Sequence, residues 1–219
     1  MKKSLLLLFA AMGTVFALSA QTILYDNGPL INAPGGGFGG ADLSHLHSGL
    51  TTWGAGHAVS SGFRVADEFT VPAGASWFVD SIVFYAYQTS SGLTSTINEV
   101  NFAIWDGTPG DIGSNIIYGD TMTNKLISTS WSNIYRTNAT DFTNTDRPVM
   151  RNVANASGLM LQSGTYWVDW QTGGTAPSGP WVPEITITNQ PATGNALQYN
   201  PATQLYAALL DNNQPQGMP

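Results

Sequence analysis

The period of the hydrophobic pattern constrains the fold of this chain more than any other feature. Between Ile97 and Trp105, the apolar side chains Val100, Phe102 and Ile104 recur at every second position. Successive side chains of a β-strand point to opposite faces, so this spacing is that of a strand with one buried face. About ten such segments follow one another between turn residues, and none keeps a helical period. The pattern predicts an all-β fold, an antiparallel β-sandwich of jelly-roll type.

Several segments carry predictions of their own. A first short strand is expected at 22–25, and one helical turn within 42–50. Two strands are expected at 63–71 and 77–87, separated by the turn residues Pro72-Ala73-Gly74. The second of these is apolar on both faces, which is typical of a central strand.

The first twenty residues have the order of segments found in a secretory signal. Met1-Lys2-Lys3 is basic, residues 5–18 are apolar but short for a membrane span, and Ser19-Ala20 are small. We therefore predict a signal peptide at 1–20 and one domain at 21–219. No long apolar run follows, so we expect no membrane insertion and a secreted, extracellular or cell-surface location.

Cysteine usage and charge exclude several classes of function. The chain has no cysteine, which removes disulfides, zinc–thiolate sites, iron–sulfur clusters and thiol nucleophiles. Two of the seven basic residues, Lys2 and Lys3, lie in the predicted signal, which leaves five against 14 acidic residues and a net charge of −9. Such a surface argues against nucleic acid and anionic membranes as partners, and is compatible with neutral glycans, cations or proteins.

Five segments resemble a recurring type of exported bacterial module. They are Tyr25-Asp26-Asn27-Gly28, Val65–Val71, Phe84–Gln88, Ile104–Gly107 and Gly164–Gly173. Similar stretches occur in secreted β-sandwich modules of the Bacteroidetes type, which often precede a C-terminal sorting domain. The resemblance implies architecture and location. Such modules are largely of unassigned function, so it transfers no functional residue.

A candidate ligand patch centres on Asp169, which shares a predicted strand face with Trp167. Aromatic rings cover the apolar face of a sugar, and a carboxylate accepts hydrogen bonds from its hydroxyls. Trp105 and Trp181 are further candidates for this patch. The alternative is that Trp167 and Trp170 are packing residues on the two faces of a sheet.

Three functions stay open at this point. The favoured one is a non-catalytic module that binds a glycan or another cell-surface component. The second is a secreted hydrolase of polysaccharides, which needs two carboxylates about 5–9.5 Å apart; Asp169 with Glu184 or Asp106 are the candidates. The third is a structural or spacer module of a larger surface protein.

Oxygen-rich loops make calcium a candidate cofactor. Asp106 with Asp111, and Asp141 with Asn144 and Asp146, supply the hard oxygen ligands that Ca²⁺ prefers. Asp and Asn also form turns for purely local reasons, and no EF-hand loop is present. These residues are therefore compatible both with a calcium site and with purely local turns.

The remaining charged and imidazole groups allow two hypotheses. His45, His47 and His57 could supply three imidazoles to a catalytic zinc, or they could be loop histidines. Asp67 and Glu68 are adjacent on a strand and face opposite sides, so they cannot form a local acid pair. We expect one of these acids to form a structural ion pair, either with Arg64 or with a neighbour on an adjacent strand.

Overall fold

The computed structural model describes residues 22–46, 50–138, 140–184 and 194–210. The predicted signal peptide at 1–20 therefore lies outside the described residues. Within these ranges the chain is nearly all β, as the hydrophobic pattern predicts. Its helical structure there is limited to 3-10 turns at Phe38–Gly40 and Val59–Ser61, and no described helix has the length and apolar character needed to cross a membrane.

Ten strands occur in the described ranges. They are β1 (Asp42–Leu46), β2 (Ala55–Gly56), β3 (Arg64–Tyr87), β4 (Ile97–Trp105), β5 (Ile116–Asp120), β6 (Leu126–Asn138), β7 (Pro148–Gly174), β8 (Trp181–Val182), β9 (Leu197–Asn200) and β10 (Leu205–Ala208). The main path of the sheet runs β1-β6-β7-β3-β8-β2. The pair β4–β5 joins it at β7, and the pair β9–β10 joins it at β3.

Two long antiparallel strands, β3 and β7, form the spine of the molecule. The sequence predicts two strands where the structure has the single strand β3, and its register with β7 shifts between Val71 and Ser76 and again between Val79 and Ser81. Pro72 and Gly74 lie inside the first shift, where the ladder is interrupted. Proline has no N–H to donate, so it is tolerated where the ladder is broken.

The spine carries different strands along its two halves. The first half of β3 pairs with the last part of β7, beside β4 and β9, whereas the second half lies next to β8. We call the part of the molecule around residues 65–71 of β3 the first half, and the part around residues 76–87 of β3 the second half. The ring of Phe84, in the second half, lies 5.7 Å from that of Phe102 and 5.5 Å from that of Trp170 in the first half. The two halves therefore share one apolar core.

The structure corrects three expectations. The pairing of β1 with β6 is parallel, so the sheet is mixed and not wholly antiparallel, and it is not closed. Residues 42–46 form strand β1 and not a helical turn, because Leu43 is fully buried against Tyr135 of β6. Residues 22–25 form no strand, since no backbone–backbone hydrogen bond joins them to a described neighbour.

Candidate functional site

The candidate site lies on the sheet face of the first half that points away from the core. On this face Asp169 of β7 lies in register between Ala66 of β3 and Ala103 of β4. The next residue, Trp170, points to the opposite face and packs in the core. The two small neighbours leave space above the Asp169 carboxylate, and larger side chains from adjacent strands fill it.

The Asp169 carboxylate is held by two side chains. Arg64 Nε donates to Asp169 Oδ1 and Oδ2 at 3.2 and 3.0 Å, and the Tyr206 hydroxyl donates to Oδ2 at 2.5 Å. Arg64 Nη2 donates in turn to the Tyr206 oxygen at 2.8 Å. The side chain of Asp169 is completely buried, whereas that of Arg64 is 15% exposed. Carboxylate, guanidinium and hydroxyl thus form a closed triangle of hydrogen bonds.

Aromatic rings surround this triangle. The Arg64 guanidinium lies 3.7 Å from the centre of the Tyr199 ring, and Tyr199 and Tyr206 are 5.1 Å apart. The Tyr206 ring meets the Trp105 indole edge to face at 6.4 Å. Trp105, Tyr199 and Tyr206 are all half-buried. We call these five residues, Arg64, Trp105, Asp169, Tyr199 and Tyr206, the outer-face cluster.

Burial and charge act in opposite directions within the cluster. Burial raises the pKa of the Asp169 carboxyl, while Arg64 and the Tyr206 hydroxyl favour its charged form. Burial acts to lower the pKa of Arg64, but Asp169 and Tyr206 outweigh it, so that the pKa is raised. Arg64 therefore keeps its positive charge, and the carboxylate is engaged in orienting Arg64 and Tyr206.

The chemistry available at this cluster is recognition of a polar ligand with an apolar face. A guanidinium has five N–H donors, and within the described residues the hydrogen bonds of Arg64 use those of Nε and Nη2. Half-buried aromatic rings lie beside these donors. No family model, curated protein or solved structure matches this chain. The function is therefore inferred from the residues of the cluster.

The structure brings together some of the ligand residues expected from the sequence. Trp105 and Asp169 belong to one cluster. Trp167 lies directly opposite Trp105 in the β4–β7 register, but it is only 5% exposed and offers no ring face to solvent. Trp181 lies in the second half of the molecule, opposite Tyr87, and is not part of the cluster.

The described hydrogen bonds do not test the carboxylate pairs considered for hydrolysis, because such a pair needs a separation of about 5–9.5 Å and no direct contact with Asp169. Its described contacts involve neither Glu184 nor Asp106. Glu184 follows β8, where its backbone carbonyl accepts from buried Arg136 at 3.4 Å. The exposed Asp106 accepts a hydrogen bond from the backbone N–H of Asn115 at 2.6 Å, which closes the loop after β4.

The aspartates considered for calcium take part in turns. The backbone N–H and carbonyl of Asp111 make hydrogen bonds inside the loop that begins at Asp106. Asp141 and Asp146 are linked by the Asn144 amide, at 3.2 and 3.5 Å. Across the described ranges, no group of three His, Cys, Asp or Glu residues is placed to hold a metal ion. Calcium stays a prediction from composition.

The histidines lie in different environments. His57 is completely buried, with its ring 6.5 Å from that of Trp170, and burial lowers its pKa to about 4. His45 lies on β1 with its ring 4.8 Å from that of Phe142, and burial followed by the charge of Arg136 lowers its pKa. His47 lies outside the described residues. A three-imidazole zinc site stays a prediction.

Sequence reasoning missed part of the cluster. One of the two ion pairs considered joined Arg64 to Asp67 or Glu68, but the partner of Arg64 is Asp169, 105 residues away. Tyr199 and Tyr206 were not identified, although each lies in a short alternating segment bounded by turn residues. Only the pairing of β9 with β3 places them beside Arg64.

Proposed function

We propose that this chain is an exported, non-catalytic module that binds a glycan through the outer-face cluster, in the extracellular space or at a cell surface. The observation that carries this proposal is the half-buried indole of Trp105 next to the Arg64–Asp169–Tyr206 triangle. The signal-like residues 1–20 and the resemblance to Bacteroidetes-type modules support the location. The shared core of the two halves supports a jelly-roll-like β-sandwich as the finer architecture.

The cluster suits a sugar for physical reasons. The apolar face of a pyranose ring packs on an aromatic face, which here is that of Trp105. Sugar hydroxyls accept hydrogen bonds from a guanidinium, and Arg64 is already oriented by Asp169 and stacked on Tyr199. Because its donors are fixed before the ligand arrives, little side-chain entropy is lost on binding.

Asp169 has a different role from the one that the sequence suggested. Since its side chain is completely buried, it does not contact the sugar in this proposal. Its role is to position Arg64 and Tyr206. A hydrolase mechanism through Asp169 has no support in the described contacts, because the carboxylate already accepts from both of these side chains.

Replacing Trp105 tests the proposal. The wild-type protein is first screened against neutral polysaccharides, and affinity for the best ligand is measured by calorimetry. We expect Trp105→Ala to weaken binding by about tenfold or more, because the stacking surface is lost, and Trp105→Phe to retain part of it.

The matched control is Trp53→Ala. Trp53 is also half-buried and lies under the Arg147 guanidinium, 4.0 Å from it, and it is not a member of the outer-face cluster. This variant should bind like the wild type. If the wild type binds no glycan, or if Trp105→Ala binds as well as Trp53→Ala, the glycan proposal is wrong and a spacer module becomes the better interpretation.

A further inference from the structure

The segment 22–28 lies against side chains of β3 without belonging to the sheet. It has no regular secondary structure, and no backbone–backbone hydrogen bond attaches it to the described chain. Nearly all of its residues are exposed. We call this segment the strap. Because its backbone makes no ladder, side chains alone hold it in place.

Tyr25 provides the apolar part of this attachment. Its ring lies 5.9 Å from that of Phe69 and 6.4 Å from that of Trp77. Phe69 and Trp77 are themselves stacked, with an interplanar angle of 6°, and the Tyr166 ring also stacks with that of Phe69, at 5.9 Å. Phe69, Trp77 and Tyr166 form an aromatic platform. All three remain half-buried, and so reach solvent, with the strap in place.

Asn27 provides the polar part. Its amide Nδ2 donates to Asp67 Oδ2 at 2.6 Å, and its Oδ1 accepts from the Tyr25 hydroxyl at 3.0 Å. The other oxygen of Asp67 accepts from the backbone N–H of Glu68 at 2.9 Å, which fixes the carboxylate. Burial raises the pKa of Asp67, and the Asn27 hydrogen bond opposes that rise. A carboxylate in this position needs a donor.

We infer that the strap covers a second ligand site, and that the ligand of this site is a 2-acetamido sugar. The strap presents to the aromatic platform a ring that is tilted by 47° to Phe69 and by 40° to Trp77, and it presents an amide N–H to Asp67. A 2-acetamido pyranose offers the same two features on one small ring, an apolar face and an amide N–H. Such a ligand is uncharged, in agreement with the acidic composition. This site shares no residue with the outer-face cluster, and the inference goes beyond the proposed function.

Releasing the strap tests the inference. Tyr25→Ala/Asn27→Ala removes both contacts and leaves the platform and Asp67 unchanged. The probes are an oligomer of N-acetylglucosamine and the matching oligomer of glucose, which lacks the acetamido group, and binding is measured by tryptophan fluorescence and calorimetry. We expect the strap-released variant to bind the N-acetylglucosamine oligomer about tenfold more tightly than the wild type does, and to discriminate against glucose. Adding Asp67→Ala should abolish the gain.

A second variant distinguishes release of the strap from loss of folding. Asn27→Asp keeps the Tyr25 ring but places a carboxylate against that of Asp67, so that repulsion replaces the hydrogen bond. It should show a gain in binding in the same direction, smaller because the Tyr25 ring still packs on the platform, with an unchanged circular dichroism spectrum. Trp105→Ala in either background should leave this gain intact, which separates the inference from the proposed function.

Two results would overturn the inference. In one, folded strap-released variants bind the N-acetylglucosamine oligomer no better than the wild type, which would mean that the strap only packs against the aromatic platform. In the other, they bind both oligomers equally, and Asp67 does not recognise the amide.

Discussion

At the scale of single residues, burial changes the pKa of a polar side chain inside the core. His57 is completely buried, and the backbone of Ala55 and Pro180 lies near its ring. Burial is the main cause of its lowered pKa, and the carbonyls of Ala55 and Pro180 oppose it weakly. The neutral imidazole is therefore the form that the fold accepts.

We expect His57 to make the stability of the folded protein sensitive to mild acid. Its pKa is about 4 in the folded protein and near 6.5 when unfolded. Between these values the unfolded chain binds more protons, so the stability present at neutral pH is lost as the pH falls below 6.5. We expect the free energy of unfolding in urea to drop by about 2 kcal/mol from pH 7 to pH 5 through this residue.

His57→Gln is the matched variant, because it keeps a polar side chain that does not titrate. Its unfolding free energy should depend less on pH over the same range. A smaller dependence should remain, because the pKa of His45 is also lowered and acts with the same sign. Equal pH profiles for the variant and the wild type would show that His57 is not the titrating group.

At the scale of secondary structure elements, the β9–β10 hairpin completes the outer-face cluster. It attaches to the spine through the first residues of β3, and its side chain Tyr206 reaches Arg64 and Asp169. A short two-stranded hairpin has little stability of its own. Its docking therefore depends on the short ladder between β9 and β3 together with these side-chain contacts.

Tyr206→Phe tests how the hairpin is held. The ring stays, but the hydroxyl that donates to Asp169 and accepts from Arg64 is lost. We expect a loss of about 1–2 kcal/mol in the free energy of unfolding, measured in urea. The neighbouring Leu205 is 66% exposed, and Leu205→Ala should change this free energy by less than about 0.5 kcal/mol. Equal stability of Tyr206→Phe and wild type would mean that the hydroxyl does not anchor the hairpin.

At the scale of the whole molecule, the two halves are continuous through β3 and β7. Their inner faces share a core in which Phe84 contacts Phe102 and Trp170. Neither half has a spine of its own. The described part of the chain should therefore unfold as one cooperative unit.

Phe84→Ala tests this cooperativity. Phe84 is 6% exposed, so we expect its truncation to cost about 3–5 kcal/mol and to shift the whole transition. Far-ultraviolet circular dichroism and tryptophan fluorescence should give the same midpoint in urea, for both the wild type and the variant. Phe78→Ala, at a ring that is 72% exposed, is the control with little expected effect. Two separate transitions in the wild type would show that the halves fold independently.

The sequence alone determined the class of the fold and the bounds of some strands. The period of two in residues 97–105 predicts β4, and the observed strand has those same bounds. The pattern also placed Trp105 and Asp169 among the candidate site residues. The strand bounds are confirmed because alternation is a local property, which assigns each side chain to a face of its own strand.

Tertiary structure decided which faces meet. Strand pairing brings Arg64 and Asp169 together across 105 residues and places Tyr199 and Tyr206 beside them. It also buries Trp167 and leaves Trp181 in the second half of the molecule, away from the outer-face cluster. It also made residues 42–46, which lie within the segment 42–50 where a helical turn was predicted, a strand parallel to β6. The physical reason is that strand partners and register depend on contacts between segments far apart in the chain. A local hydrophobic period does not specify those contacts.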